Sequence, residues 1–329
     1  MSTSRINIIV GSDSDKKYFD KEIERWCEEN QDVAVLVHIA SADNSPELVE
    51  ELCTKFFGPK VGLNGYHKRN IVVETGPSRK PTIDETVDCY ARKLMAKKSG
   101  QAMISGAGMS NMLTGAVKRH ATVKDLVIGV PFLDTELMGI SAFLATDEKP
   151  PRNPVLSMPV NGIYTALNIG LKFEDYRWGD RKVKITDYVG ASDIAAAFEK
   201  IGLPCYVQEH HRMEPDDVVI TPFRPGDTRS GTRHLLNIDE IIAEGNGVQI
   251  GVKIARGDNP PNFDGYLEIV NHDYDSTGFV SAGSAGYANA AIIAAQITRK
   301  TNPLKAVALE KAKKTVDQLK EITFQYPTE

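Results

Sequence analysis

Hydrophobic and polar positions alternate with two different periods along the first half of this chain. Apolar runs over 6–10, 33–40, 70–74, 101–104 and 126–131 read as buried strands, and apolar residues three or four apart over 16–29, 46–57, 84–98 and 110–119 read as helices. Regular alternation of the two predicts a central parallel sheet with helices on both faces, a three-layer α/β/α sandwich whose ligands sit at the carboxyl ends of the strands. The loops that matter are then 11–15, 41–46, 105–110 and 131–139.

Asp175 to Lys182 is polar and aperiodic, and after it the pattern restarts. Val183 to Val189 reads as a strand, Gly190-Ala191-Ser192-Asp193 as a turn, Ile194 to Ile201 as a helix, and Leu203 to Val207 as a strand ending in Glu209-His210-His211-Arg212. This order repeats that of 6–46. It implies one unit over 1–175, a degenerate, shortened second copy over 183–300 and a helical extension over 301–329. The second copy is shortened because the few residues between Pro215 and the strand at Val218-Val219-Ile220 leave no room for a helix. Gly247 to Ile254 echoes 126–132. The small residues Ser281 to Asn289 lead into a long amphipathic helix, expected to pack closely on a sheet or a neighbouring chain.

Composition narrows the class. The chain has 329 residues, 41% hydrophobic and 25% charged, as in a globular protein large enough for two domains or one large core. Its 39 basic and 44 acidic residues give a net charge of -5, which offers no basic excess for nucleic acid. Cys27, Cys53, Cys89 and Cys205 fall in no CxxC or Cys/His pattern, and no histidine has HExxH-like spacing, so reduced thiols and no metal site are expected. The N-terminus lacks a basic region followed by an apolar one, and no run approaches the roughly eighteen apolar residues that span a bilayer. The expectation is a cytoplasmic protein with no membrane partner.

Three segments carry candidate chemistry. Gly11-Ser12-Asp13-Ser14-Asp15 joins a strand to a helix, where free backbone N–H groups and hydroxyls either meet a ligand or cap the helix. There a ribose hydroxyl suits Asp13 or Asp15, and phosphate suits Ser12 and the amides. Glu209 to Arg212 offers a proton shuttle and an anion grip, or a solvated polar loop. Arg224 to His234, rich in arginine, hydroxyls and glycine, is either an arginine clamp for phosphate or carboxylate or an exposed loop. It is not a Walker-type sequence.

Taken together, these motifs resemble the small N5-carboxyaminoimidazole ribonucleotide mutase and aminoimidazole ribonucleotide carboxylase family of purine synthesis. The matching residues are Gly11 to Asp15, Ser41-Ala42-Asp43-Asn44-Ser45-Pro46, Gly106-Ala107-Gly108-Met109, Ile128 to Pro131, Met158 to Gly162 and, in the second copy, Ala285 to Ala291. The resemblance covers most of 5–172 and, more weakly, 183–300. It implies a flavodoxin-like fold and a carboxylate shift from N5 to ring carbon C4 with no organic cofactor or metal. It also implies a symmetric homo-oligomer, here a tetramer of two-copy chains.

Departures from the family pattern occur in both copies: the second copy's Gly190-Ala191-Ser192-Asp193 turn is a poorer match than Gly11 to Asp15, and the first copy lacks the family's loop histidines and arginine. The family's loop histidine, implied to be the general acid/base, is matched by Asp43. The following phosphate-binding arginine is matched by Asn44, and a second histidine by Met112. In the second copy, His211 and Arg212 match the His-Arg pair. The resemblance thus implies a pseudo-dimer with one composite or surviving site: His211 or Asp43 as shuttle, and Ser12, Asp13, Asp15, Ser41, Asn44, Gly106, Ala107, Gly108, Arg212 and Arg224 around a small-molecule ribonucleotide. The rivals are a catalytically inactive homologue that binds a ribonucleotide or phosphate ligand, and a different lyase or carboxylase on the same scaffold.

Overall fold

The computed structural model describes residues 4–58, 83–96, 100–108, 112–133, 142–143, 146, 153–174, 181–224, 231–254 and 272–325. In the first unit the strands are β1 (Ser4–Val10), β2 (Val33–Ile39), β3 (Ala102–Ala107), β4 (Leu126–Pro131) and β5 (Leu156–Ser157). Its helices are α1 (Asp20–Glu29), α2 (Pro46–Phe57), α3 (Ile83–Leu94), α4 (Met112–His120) and α5 (Ile163–Glu174). In the second, β6 (Val183–Thr186), β7 (Tyr206–Gln208), β8 (Val218–Phe223), β9 (Val248–Lys253) and β10 (Thr277–Val280) alternate with α6 (Ala191–Lys200), α7 (Gly231–Ala243) and α8 (Gly283–Ile297). A final helix, α9 (Thr301–Gln325), packs on α3 and α8.

All these strands belong to one ten-stranded sheet ordered β2-β1-β3-β4-β5-β10-β9-β8-β6-β7. From either edge the order reads second, first, third, fourth, fifth, which is the flavodoxin-like arrangement twice over. Every pairing is parallel except the central one, where β5 meets β10 antiparallel at Ser157 and Phe279. The strands of the two units therefore point in opposite directions.

Alternation along the strands sets the layers. Ile6, Ile8 and Val10 join Ile104, Ile128, Ile185, Ile220 and Ile250 in one core that runs across both units beneath α5 and α8. On the opposite face Ile9, Met103 and Val127 pack on Val49, Leu52 and Phe57 of α2 and Leu113 and Val117 of α4. Val219 packs there on Ile238 and Ile242 of α7. Across the central seam the Thr165 hydroxyl donates to the Tyr274 carbonyl, and Lys172 Nζ donates to Gly247 O at 3.1 Å and Ser276 Oγ at 2.6 Å.

Three expectations change in detail, and two lie out of view. The Gly190 to Asp193 segment is the start of a helix, because Gly190 at φ 90° caps α6 and Ala191 already lies within it. The last helix of the second unit is not amphipathic: Asn289 to Ile297 are all buried, so from Asn289 onward α8 is enclosed on all sides. The second unit's first two strands are shorter than the apolar runs that suggest them. The expected strand at 70–74 and most of the polar boundary at 175–182 lie outside the described residues.

Close packing of α8 depends on Gly286, where an added Cβ would stand 1.7 Å from the Ser281 carbonyl oxygen. Gly286→Ala is expected to lower stability by about 2–3 kcal/mol, since backbone must move to admit the methyl. A urea melt showing an unchanged midpoint would contradict this.

Candidate functional site

Strand order places one crevice in each unit, outside the carboxyl ends of β1 and β3 in the first and of β6 and β8 in the second. Because the units run in opposite directions, the crevices open at opposite ends of the sheet. A composite site fed by both units, the first form of the pseudo-dimer expectation, is excluded by this geometry.

The first crevice brings Gly11 beside Gly106 and Ala107 and Asp15 beside Gly108, with Ser12 and Asp13 in the same loop. Gly11 N donates to Gly106 O at 2.9 Å, and an added Cβ on Gly11 would lie 3.2 Å from that of Ala107. At Gly106 a Cβ would fall 2.6 Å from Phe132 Cζ, so the glycine admits a ring that also stacks on Tyr18 and Phe19. Burial raises the Asp15 carboxyl above the usual carboxylate range, opposed by a hydrogen bond from the Gly108 backbone. The hydroxyls here serve the chain itself. Ser12 Oγ accepts from Ser14 N at 3.2 Å and caps a 3-10 turn over Asp13–Tyr18, in which Asp13 pairs with Lys16.

The neighbouring loop after β2 is organised in the same way. Ser41 Oγ accepts from Asp43 N and Asn44 N, and Ser45 Oγ accepts from Ser41 N, while the side chains of Asp43 and Asn44 are exposed. Met112 opens α4. This crevice presents three carboxylates, Asp13, Asp15 and Asp43, a poor reception for a phosphate.

The second crevice has a different chemistry. The Glu209-His210-His211-Arg212 loop forms a 3-10 turn over His210–Arg212, where the first unit has a full helix. Lys184, buried on β6, fixes that turn: its Nζ donates to Arg212 O at 2.8 Å and pairs with Asp217 at 2.6 Å and Glu214 at 3.5 Å. His211 is 58% exposed, with Nδ1 3.3 Å from Glu209 Oε2, and Arg212 is also exposed.

His210 turns instead toward His234 in the first turn of α7, at 5.5 Å between ring centroids, and Tyr188 lies against the other side of His234 at 6.1 Å. Burial, and then the neighbouring His210, lowers the His234 pKa below the usual imidazole value, so its ring is neutral near pH 7. Three polar atoms at this end of the sheet are shut off from solvent with no hydrogen-bond partner among the described residues: His234 Nε2, Arg224 Nε and Thr186 Oγ1. Unpartnered buried donors and acceptors cost stability unless a ligand or water answers them. Arg224 therefore sits where the sequence placed it, at the end of β8, while Pro225 to Ser230 lie outside the described residues.

Sequence reasoning passed over His234, Tyr188 and Thr186. His234 stands in the arginine-rich segment already singled out, and the available signal was that such a loop leads straight into a helix following a central strand. Among the described residues no group of three or more histidine, cysteine, aspartate or glutamate side chains is placed to hold a metal ion, and no helix is long and apolar enough to cross a membrane.

No family model and no curated protein matches this chain. Among solved structures it aligns with a candidate tagatose-6-phosphate ketose/aldose isomerase from Clostridium novyi at 6% identity and TM-score 0.22, covering 94% of this chain and 79% of the other. It also aligns with a UDP-N-acetylglucosamine 2-epimerase at 9% identity and TM-score 0.21, covering 99% and 97%. Similarity at this level carries no argument about activity.

Proposed function

We propose that the second crevice catalyses a carboxylate shift on an aminoimidazole ribonucleotide, with His234 as the proton-transfer group and Arg224 as an anion grip. The observation that carries this reading is the presence, at the carboxyl end of this unit's strands, of two buried and unpartnered nitrogens, Nε2 of the neutral His234 imidazole and Nε of Arg224. A neutral imidazole can accept a proton, and a guanidinium can hold carboxylate or phosphate through paired N–H donors.

In the proposed reaction the carbamate N–C bond breaks, its electron pair stays on nitrogen and carbon dioxide is released into the crevice. The nitrogen takes a proton from water. The ring's electron pair at C4 then attacks carbon dioxide, and the C4–H bond returns its pair to the ring as the proton passes to Nε2 of neutral His234, which hands it back to solvent. A crevice closed over the ligand would keep carbon dioxide next to C4, and the electron-rich ring supplies the nucleophile. This reading moves the shuttle from His211, whose ring is exposed, to His234, and leaves Asp43 and the first crevice outside the chemistry.

The test is a turnover assay with N5-carboxyaminoimidazole ribonucleotide, following the C4-carboxylated isomer above spontaneous breakdown. Turnover is the expected result. Tight binding of aminoimidazole ribonucleotide without turnover by folded protein would replace this reading with that of a ribonucleotide-binding homologue.

A further inference from the structure

Three imidazoles stand in a row at the mouth of the second crevice. His211 is open to solvent, its ring centroid 5.8 Å from that of His210 with the planes at 86°. His210 in turn stands 5.5 Å from His234 with the planes at 76°. His210 is itself exposed, so the row leads from water at both outer members to the enclosed Nε2 of His234. Only its inner member takes part in the reaction proposed above.

We propose that His211 and His210 form a proton path between solvent and His234, so that hydrogen at the reacting carbon exchanges with water while ligand fills the crevice. The inference rests on reading His234 as the proton-transfer group. Imidazole can accept a proton on one ring nitrogen and release another from the second, which few side chains can do. Near-perpendicular rings at these separations bring an edge of one toward the face of the next, and one bridging water or a small ring rotation completes each transfer.

The row is also held in place. Lys184 anchors the Arg212 carbonyl and with it the His210–Arg212 turn, and Tyr188 lies along the His234 ring at 27°. The missing helix leaves this turn exposed, which gives both His210 and His211 access to water. In each passage a proton leaving C4 binds Nε2 of His234, one leaves the other nitrogen of that ring for His210, and another passes through His211 to water. The reverse passage returns a proton to C4, so atoms and charge balance without any oxidant or metal.

The path is tested by dissolving the full chain and aminoimidazole ribonucleotide in D2O, without carbon dioxide, and following loss of the C4–H signal by NMR. The native protein is expected to catalyse exchange. His210→Ala is expected to slow it at least about tenfold with ligand affinity unchanged, and added imidazole to restore it. His211→Asn should slow it to a lesser degree. Exchange at the native rate in His210→Ala would overturn the proposal, as would a slowed rate that imidazole does not rescue.

A second readout separates this failure from failure of the catalytic reading, because it needs no ligand. In Cε1–H titrations, His210→Ala should raise the His234 midpoint, because the neighbouring ring helps to lower it. If the native protein catalyses no exchange but His210→Ala raises the His234 midpoint, the ribonucleotide reading fails and the His210–His234 contact on which the path depends stands. A His234 midpoint left unmoved by His210→Ala would refute the contact, and the path with it, whatever the activity.

Discussion

Replacing His234 by Asn is expected to lower turnover of the carboxylated aminoimidazole ribonucleotide at least about 100-fold, the scale on which a positioned acid/base contributes. Asparagine keeps the ring's approximate shape and polarity but cannot carry the proton, so the chain should fold and bind ligand. The contrast with His211→Asn decides which histidine matters. His211 lies at the exposed end of its turn beside Glu209, and its loss should cost less than about tenfold. Asp43→Asn, in the crevice at the other end of the sheet, should leave turnover unchanged. If His211→Asn were as damaging as His234→Asn, the shuttle would belong to His211, as the resemblance alone implies.

The second large effect concerns stability. Lys118 in the last turn of α4 is 4% exposed, and burial, with the like charge of Lys311 on α9, lowers its pKa to about 7 against a partial counterweight from Asp125. Burial likewise lowers Lys172 to about 8, although Asp239 favours its charge. A lysine whose folded value lies below its unfolded value binds fewer protons when folded, so stability rises as pH climbs from the folded value toward the unfolded one.

The two lysines together should add about 2 kcal/mol to unfolding free energy between pH 7 and 8.5. Above that range the buried Cys53 thiol, pushed up to about 12, works in the opposite direction. Lys118→Met should raise stability at pH 7 by about 1–3 kcal/mol and remove most of the slope. Urea midpoints that are flat with pH in the native chain, or equally steep in the variant, would count against this account.

Much of the scaffold could be read from the chain because local and tertiary demands agree. α2 begins and ends where the pattern puts it: Pro46 fits a first helical position after Ser45, and Gly58 at φ 84° follows Phe57. β4 is a continuous apolar run because both of its faces are covered, and its bounds match the run 126–131. The absent helix before β8 was legible from spacing alone.

The site was less legible, for two physical reasons. Ser12 and Ser41 have the composition of ligand loops, yet their hydroxyls are occupied with capping their own turns, a choice composition cannot reveal. The His210–His234 contact joins the end of an edge strand to the first turn of a helix after another strand, and only the sheet order brings those ends together. A linear motif placed the weight on the His-Arg pair, whereas burial singles out the histidine farther along.

The antiparallel seam between β5 and β10 has a consequence for how such a chain changes over generations. With their mouths at opposite ends of one sheet, the two units share a core but no ligand contacts, so a substitution at one rim leaves the other rim's chemistry untouched. Each rim is free to drift while the common interior constrains both. The acidic, self-capped mouth and the histidine-lined one are what two such independent histories on a single scaffold would leave behind.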